Sequence, residues 1–463
     1  MSNALDDAVA FLSLLEVSKR LRLREISSLA LTELCLRCIC SINPQLKAFI
    51  TVLEKESSDA ARDADREIAA GNWRGPLHGV PVAVKDLVDV AGTVTTGASL
   101  AFAGDPPATA DAPLVHGLRN AGAIILGKTN LHELAYGGTG AISAYGLVPN
   151  PWDATRVAGG SSSGSAAAVA AGLCYAAIGT DTAGSIRVPA SSCGVVGLKP
   201  TFGLVSVEGV LPLSVSFDNA GPQARTSMDA LAVLEAIAPN GGWAIWAISE
   251  TKWSGTRVGV PRTGFLEGMA PEVEQAWNDT LERVRAVGVK LVEVDISADG
   301  DLAHFALLAG ESYRVHRDRV AVGSPFRELY DPRTLARIEE GAVVTDEQIA
   351  HLRAKLAADR AATNEIFTGV DLLLTPTMPI LPPSIAELDR PQARTLELLM
   401  LRNTFPFDVL GLPTVTVPVA LAGGVPIGMQ LTAAAHKDGT LLRMSSHFEL
   451  GLDRGCAVNP IFR

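Results

Sequence analysis

The stretch between residues 158 and 190 decides the fold and most of the chemistry of this chain. Residues 158–172 are AGGSSSGSAAAVAAG, and residues 179–190 are GTDTAGSIRVPA. A Gly- and Ser-rich loop that opens an Ala-rich helix surrounds a small cavity with N–H groups and hydroxyls. The simpler alternative is a helix N-cap by Ser161, Ser163 or Ser165, but a cap needs only one serine. Four serines and three glycines within residues 159–165 therefore indicate a site.

The second part of this stretch places Ser185 directly after the small residues 182–184. Such a serine can expose its hydroxyl while the backbone N–H groups before it converge on one point. That geometry is typical of an oxyanion hole. An ordinary turn explains the pattern equally well when it is considered alone.

A lysine stands at the end of an apolar run outside this stretch. Residues 79–86 are GVPVAVKD, so Lys85 follows residues that are suited to burial. Burial disfavours the charged form of lysine and lowers its pKa from about 10.4. A neutral Lys85 could act as a general base. The structural alternative is a lysine whose stem is buried while its amine reaches solvent.

Two short patterns match known motifs in their letters but not in their context. Residues 122–129, GAIILGKT, fit a phosphate loop, yet their middle positions predict a buried strand rather than an open loop. Residues 160–164, GSSSG, fit a nucleophile elbow, which needs an apolar strand before it and an acidic residue and a histidine after it. Residues 155–159 make a poor strand. The downstream histidines lack a distinctive setting: His304, His316, His351, His436 and His447.

Composition excludes several classes of function. The 463 residues contain 39 Lys and Arg against 50 Asp and Glu, and this net charge of −11 disfavours a nucleic-acid binder. Cys35, Cys38 and Cys40 alternate with apolar residues, which is typical of a buried helix rather than a metal site. The N-terminus has no secretory pattern, and no apolar run is long enough to cross a bilayer. We expect a soluble, cytoplasmic protein without metal or membrane.

The succession of predicted helices and strands along the sequence indicates one α/β domain over residues 1–463. Residues 1–70 have helical composition, whereas 75–225 alternate short apolar strands, such as 80–84 and 123–126, with helices over 114–120 and 165–177. Residues 229–402 predict a more helical, charged region. Residues 403–463, with strands over 412–418 and 427–431, return to the sheet. We expect a central mixed sheet with helices on both faces.

Taken together, the three elements resemble the amidase signature family of serine hydrolases nearly residue for residue. The resemblance extends to residues 127–134, 150–153, 193–203, 216–222 and 371–377, and to 411–413. It covers nearly the whole chain, and residues 229–369 match least.

The resemblance implies a Ser-cisSer-Lys triad. By motif position, Ser185 is the nucleophile, Ser161 is the bridging serine after a non-proline cis peptide bond, and Lys85 is the base. The implied oxyanion donors are the N–H groups of Thr182, Ala183, Gly184 and Ser185. The implied supporting residues are Ser162, Asp181 and Arg187. An acyl-enzyme on Ser185 would release an amine or alcohol and then react with water. No metal or organic cofactor is expected.

The substrate is less well specified than the chemistry. By family position, the acyl pocket is lined by Tyr136, Gly137, Gly138 and Thr139. Amides, aryl esters and carbamates pass through the same tetrahedral chemistry, so the motifs do not choose among these small molecules. Three tryptophans, Trp243, Trp246 and Trp253, could border a funnel for aryl or alkyl groups, or could simply pack a loop.

Two departures from the family bear on partners. Residues 136–143, YGGTGAIS, and 405–413, FPFDVLGLP, lack polar groups that are usual in the A subunits of tRNA-dependent amidotransferases. They favour a free-standing amidase, a monomer or homodimer, over such a role. A non-enzymatic descendant is disfavoured because Lys85, Ser161 and Ser185 are all present.

Overall fold

Eleven short strands form one mixed β-sheet in the computed structural model, which describes residues 7–238, 253–296 and 302–449. The strands are β1 (Phe49–Val52), β2 (Pro81–Lys85), β3 (Ile124–Thr129), β4 (Ala176–Asp181), β5 (Val196–Lys199), β6 (Asn219–Ala224), β7 (Arg257–Pro261), β8 (Lys290–Val294), β9 (Leu372–Pro376), β10 (Thr414–Ala422) and β11 (Val425–Thr432). Their order across the sheet is β1-β3-β2-β4-β6-β5-β10-β11-β9-β7-β8.

The direction of the central strands brings the chemistry to one edge of the sheet. Strand β2 runs parallel to both β3 and β4, whereas β4, β6, β5, β10, β11 and β9 pair antiparallel in succession. Because Val84 lies beside Ile178, Lys85 at the end of β2 lies near the end of β4, where Asp181 stands. The carboxyl ends of neighbouring parallel strands share an edge, and sites commonly form there.

Helices cover both faces of this sheet. All residues of β2, β3, β4, β6 and β11 are buried, and successive side chains point to opposite faces. The helices are α1 (Leu14–Arg22), α2 (Ser28–Leu46), α3 (Glu54–Ala69), α4 (Leu100–Ala103), α5 (Pro113–Asn120), α6 (Ser163–Ala170), α7 (Arg187–Cys193), α8 (Ser227–Ile237), α9 (Pro271–Ala286), α10 (Leu302–Val320), α11 (Pro332–Glu340), α12 (Asp346–Ala361), α13 (Ala393–Leu401), α14 (Phe405–Val409) and α15 (Asp438–Ser445). The α/β prediction with one mixed sheet is confirmed.

Two sequence predictions about elements need correction. The helix expected over 165–177 ends at Ala170, because Ala176 and Ala177 pair with β2 and β6 instead. High alanine content favours a helix locally, but sheet pairing overrides it here. The region 229–402, which was expected to be more helical, also contributes strands β7, β8 and β9 to the same sheet.

The cysteines of α2 and Trp253, whose roles the sequence left open, have structural roles. Cys35 on α2 is buried and Cys40 is exposed, and no group of residues suited to holding a metal occurs in the described ranges. Trp253 packs on Phe448 and donates its indole N–H to the Met444 carbonyl, so it packs a loop as the alternative expected. Trp243 and Trp246 lie outside the described residues. None of the described helices has the length and apolar character that a membrane span requires.

Candidate active site

Lys85 ends β2 in full burial, surrounded by hydroxyl groups. Its Nζ lies 2.7 Å from Ser161 Oγ, 2.9 Å from Ser162 Oγ and 2.7 Å from Thr180 Oγ1. Burial lowers the pKa of Lys85 to about 7, although the nearby carboxylates of Asp181 and Asp218 oppose this shift. Lys85 is therefore a buried amine that can lose its proton near neutral pH.

The two serines beside Lys85 have different roles in hydrogen bonding. The Ser162 hydroxyl donates to the Thr180 carbonyl over 3.1 Å, and it accepts the Thr180 N–H over 3.2 Å. Since its one proton is used, Ser162 can only accept from Lys85. A neutral amine donates two hydrogen bonds and accepts one, and the hydroxyl of Ser161 can supply the proton that it accepts. The peptide bond before Ser161, from Gly160, is cis.

The serine cluster, which consists of residues 161–163 and 165, does not cap helix α6. The hydroxyl of Ser162, the N-cap residue, makes no capping hydrogen bond. Ser165 donates to the Ile178 carbonyl at 3.0 Å and lies 2.6 Å from Thr129 Oγ1. The N-cap alternative is therefore wrong, because these hydroxyls form hydrogen bonds with Lys85 and with residues of β3 and β4.

Ser185 follows β4 and lies against the serine cluster. Its carbonyl accepts the N–H of Ser162 at 3.1 Å, and the residue is 4% exposed. Within the described residues, no hydrogen bond joins the hydroxyls of Ser161 and Ser185. The structure thus brings the three expected catalytic residues, Lys85, Ser161 and Ser185, to one place.

Asp181 organises the turn around Ser185. Its carboxylate accepts the N–H of Gly184 at 2.6 Å, of Ile186 at 3.0 Å and of Arg187 at 3.4 Å. Burial alone would raise the pKa of Asp181, but the charge and the side-chain hydrogen bonds of the Arg187 guanidinium hold this pKa well below its usual range. The Gly184 N–H points at this carboxylate, so it is not free for an oxyanion. In the described part of the chain, the other three expected donors, Thr182, Ala183 and Ser185, make no N–H hydrogen bond.

Arg187 joins this turn to α14. Its Nη2 lies 3.0 Å from Asp181 Oδ1 and 2.5 Å from Asp408 Oδ2, and all three side chains are fully buried. Its Nη1 donates to the Thr404 carbonyl at 2.9 Å. Burial raises the pKa of Asp408 well above its usual range, although the charge of Arg187 opposes this shift.

A third buried carboxyl, that of Asp218, holds Thr182, the first of the expected oxyanion donors. Thr182 donates its hydroxyl to Asp218 Oδ1 at 2.7 Å, and the N–H groups of Leu213 and Ser214 donate to Asp218 Oδ2. Burial raises the pKa of Asp218 to about 6, against the effect of these hydrogen bonds. Asp218 therefore fixes Thr182 from the start of β6.

The expected substrate loop, residues 136–139, packs on the loop that carries Ser161. The N–H of Gly160 donates to the Gly138 carbonyl at 2.7 Å. On the other side, the N–H of Gly138 donates to Glu397 Oε1 at 2.9 Å, and Glu397 pairs with Arg337 across 2.5 Å. A Cβ on Gly137 would collide with His132 and Glu397, so the loop needs glycine there. Helices α11 and α13 therefore brace this loop.

Apolar side chains lie around the same loop. One buried cluster contains Tyr136 of the loop and Ala183 beside the nucleophile, together with three residues of α13 and α14: Met400, Leu401 and Phe405. Thr139 Oγ1 lies 3.3 Å from His132 Nδ1, and burial lowers the pKa of His132 to about 3, so this imidazole is neutral. Apolar residues and an uncharged imidazole thus lie near this loop, beside the charged groups already described.

The two patterns that match known motifs in their letters, residues 122–129 and 160–164, have other roles. Residues 124–129 form strand β3, and Lys128 pairs with Asp86 across 2.7 Å in full burial. No phosphate loop exists there, as the context predicted. In the elbow-like pattern, Ser162 uses its proton on the Thr180 carbonyl.

Sequence reasoning missed five residues of the site: Thr180, Asp218, Glu397, Thr404 and Asp408. One signal was available, because Asp408 stands inside the aromatic run of residues 405–409, where an acid is unexpected unless it is paired.

Comparisons with known proteins show the family of the chain. The family model named Amidase matches residues 30–442. Among solved structures, an amidase is 34% identical with a TM-score of 0.86, covering 95% of this chain and 100% of that one. A 6-aminohexanoate cyclic dimer hydrolase is 29% identical with a TM-score of 0.85, over 97% and 100% of the two chains. The A subunit of the glutamyl-tRNA(Gln) amidotransferase of Chloroflexus aurantiacus is 34% identical over 92% of this chain and 93% of its own. The chain belongs to the amidase family.

Proposed function

We propose that this chain is a free-standing serine hydrolase that cleaves the C–N bond of small amides, and also carbamates or aryl esters, through an acyl-enzyme on Ser185. The observation that carries this proposal is the fully buried Nζ of Lys85, 2.7 Å from the hydroxyl of Ser161, with a pKa of about 7. A base with such a pKa can accept a proton at neutral pH.

The reaction begins with attack by Ser185 on the substrate carbonyl carbon. As the new C–O bond forms, the Ser185 proton passes to Ser161, whose own proton passes to Lys85. The N–H groups of Thr182, Ala183 and Ser185 receive the developing oxyanion. The proton then returns through Ser161 to the leaving nitrogen as the C–N bond breaks. Water repeats the sequence on the acyl-enzyme and releases the acid.

Three observations support a free-standing enzyme. The surroundings of the substrate loop are rich in apolar residues, notably Leu401 and Phe405. The solved amidase and the cyclic dimer hydrolase resemble this fold with TM-scores of 0.86 and 0.85, against 0.75 for the A subunit of a glutamyl-tRNA(Gln) amidotransferase from Thermotoga maritima. The polar groups usual in such subunits are absent from residues 136–143.

The second candidate is the A subunit of a tRNA-dependent amidotransferase. The curated relatives support it, since the A subunit of the glutamyl-tRNA(Gln) amidotransferase of Roseiflexus castenholzii is 36% identical over 92% of both chains. In that case the chain would require partner subunits, whereas the first candidate acts alone.

The deciding experiment is a turnover screen of the purified chain without partners, across anilides, primary amides, aryl esters and carbamates. We expect turnover of at least one class, and we expect Ser185→Ala to abolish both this turnover and covalent labelling by a fluorophosphonate. Ser41→Ala, a serine on α2 remote from the site, serves as the control. A chain that stays inert until amidotransferase partner subunits are added would establish the second candidate instead.

A further inference from the structure

The peptide unit between Ala183 and Gly184 is held at both ends. Its carbonyl oxygen accepts the hydroxyl of Thr404 at 2.7 Å, and its N–H donates to Asp181 Oδ1 at 2.6 Å. A peptide unit is planar, so anchoring its oxygen and its nitrogen together fixes its rotation. Asp181 supplies one anchor from the same turn, whereas Thr404 supplies the other from just before α14.

This unit lies between the N–H groups that the proposed mechanism uses. The N–H of Ala183 belongs to the preceding peptide unit and that of Ser185 to the following one. Both units share a Cα atom with the anchored unit, so their directions depend on it. Rotation of the 183–184 unit would move both donors away from a common point, and oxyanion stabilisation depends on donors that are aimed in advance.

Thr404 is itself fixed by its surroundings. Its hydroxyl also lies 2.9 Å from the Leu401 carbonyl, so the single proton is shared between two carbonyls. Its own carbonyl accepts Nη1 of Arg187 at 2.9 Å. Gly184 has φ +126°, and a Cβ there would collide with the Thr404 hydroxyl. Thr404 is therefore in direct contact with Ala183 and Gly184, in the turn before Ser185.

We propose that Thr404 is a positioning residue for the oxyanion hole, which aims the N–H groups of Ala183 and Ser185 by holding the carbonyl oxygen between them. It touches no reacting atom. The inference rests on the proposed function, since an oxyanion hole presupposes attack by Ser185.

The test compares three variants of the full chain: Thr404→Val, Thr404→Ser and Thr280→Val. The first keeps the shape of the side chain and removes the hydroxyl, and the second keeps the hydroxyl. Thr280 is a buried threonine on α9 whose hydroxyl donates to the Ala276 carbonyl, which makes Thr280→Val a matched control. The readouts are the second-order rate of Ser185 labelling by a fluorophosphonate, and kcat and KM separately on the substrate class found by the screen.

We expect Thr404→Val to slow labelling and lower kcat by about tenfold with KM little changed, which is part of the roughly 10²–10³-fold that loss of a whole oxyanion donor costs. Thr404→Ser should restore most of the rate, and Thr280→Val should behave as the parent. If Thr404→Val unfolds, the comparison is made between Thr404→Ala and Thr404→Ser.

Two results would overturn the inference while the parent labels normally. One is a folded Thr404→Val chain with the parental labelling rate. The other is a Thr404→Ser chain as slow as the variants without the hydroxyl, because then the hydroxyl is not responsible. A parent that does not label at Ser185 contradicts the proposed function itself, and the position of Thr404 then has no oxyanion hole to serve.

Discussion

Ser162 donates its backbone N–H to the carbonyl oxygen of Ser185 across 3.1 Å. This hydrogen bond joins the loop that carries Ser161 to the loop that carries the nucleophile. Lys85 contacts the same serine loop through two hydroxyls. Lys85, Ser161 and Ser185, the proposed base, bridging serine and nucleophile, are thus held in one arrangement by short contacts.

The activity should follow the protonation of Lys85. Only the neutral amine accepts a proton, and the pKa of Lys85 is lowered to about 7, so kcat/KM should rise with pH and level off above about 7. Lys85→Met should lower kcat/KM by about 10²–10⁴-fold, the usual contribution of a general base. The check is a pH profile from about pH 5.5 to about 9, with folding monitored by circular dichroism. A flat profile, or full activity in the methionine variant, would remove lysine from the mechanism.

The two serines beside Lys85 should respond differently to substitution. Ser161→Ala removes the proton carrier and should reduce kcat by about 10²–10⁴-fold. Ser162→Ala removes only an acceptor for Lys85 and a link to Thr180, and a neutral hydrogen bond is worth about 1 kcal/mol, so a loss of about fivefold to tenfold is expected. Steady-state kinetics of both variants measure this difference. Equal losses would contradict the distinction between the two serines.

Asp181→Asn should destabilise the protein strongly. The substitution leaves Arg187 buried beside a neutral side chain, and breaking a buried ion pair costs about 3–5 kcal/mol. Denaturant unfolding measures the change. Asp371→Asn, which breaks an exposed pair with Arg257, should change stability little and serves as the control. A similar effect of both substitutions would contradict this assignment.

Asp408→Asn should cost much less than Asp181→Asn. Burial raises the pKa of Asp408 well above its usual range, which disfavours the charged carboxylate, and asparagine is a neutral group of the same shape. Asp408→Ala should cost more, because it removes an acceptor of Arg187 and leaves a cavity. The same unfolding experiment ranks the three variants. If Asp408→Asn is as unstable as Asp181→Asn, Asp408 carries the charge in the folded protein.

Glu397→Ala should act on substrate binding. It removes the acceptor of the Gly138 N–H and leaves Arg337 unpaired next to the substrate loop. Hydrogen bonds to charged groups are worth about 1.5–3 kcal/mol, so we expect KM to rise about tenfold while kcat changes less. Steady-state kinetics separate the two constants. A fall in kcat with KM unchanged would show that the loop serves the chemistry instead.

Much of the site could be predicted from the sequence because it lies in short contiguous motifs. Ser161, Asp181, Ser185 and Arg187 fall within one stretch, and Lys85 ends an apolar run that becomes β2. The glycines and serines of that stretch were too many for a helix cap, and the structure uses the hydroxyls elsewhere. The α/β class followed from the alternation of strands and helices.

The remaining residues could not be predicted because their roles depend on long-range packing. Glu397 reaches Gly138, and Thr404 reaches Ala183, only because the fold brings α13 and the start of α14 beside the loops that follow β3 and β4. No local pattern marks such a contact. The helix expected over 165–177 failed for the same reason, since pairing with β2 decides the state of Ala176.

The bracing of the substrate loop by α11 and α13 separates recognition from chemistry within one chain. Lys85 ends β2, and Ser161 and Ser185 lie in the loops before α6 and after β4. Arg337 on α11 lies in the region whose sequence matches the family least, and Glu397 on α13 lies between the matched segments 371–377 and 411–413. Substitutions on these two helices can therefore reshape the loop while the proton path stays intact. In such a design, new substrates can be acquired during evolution without rebuilding the catalyst.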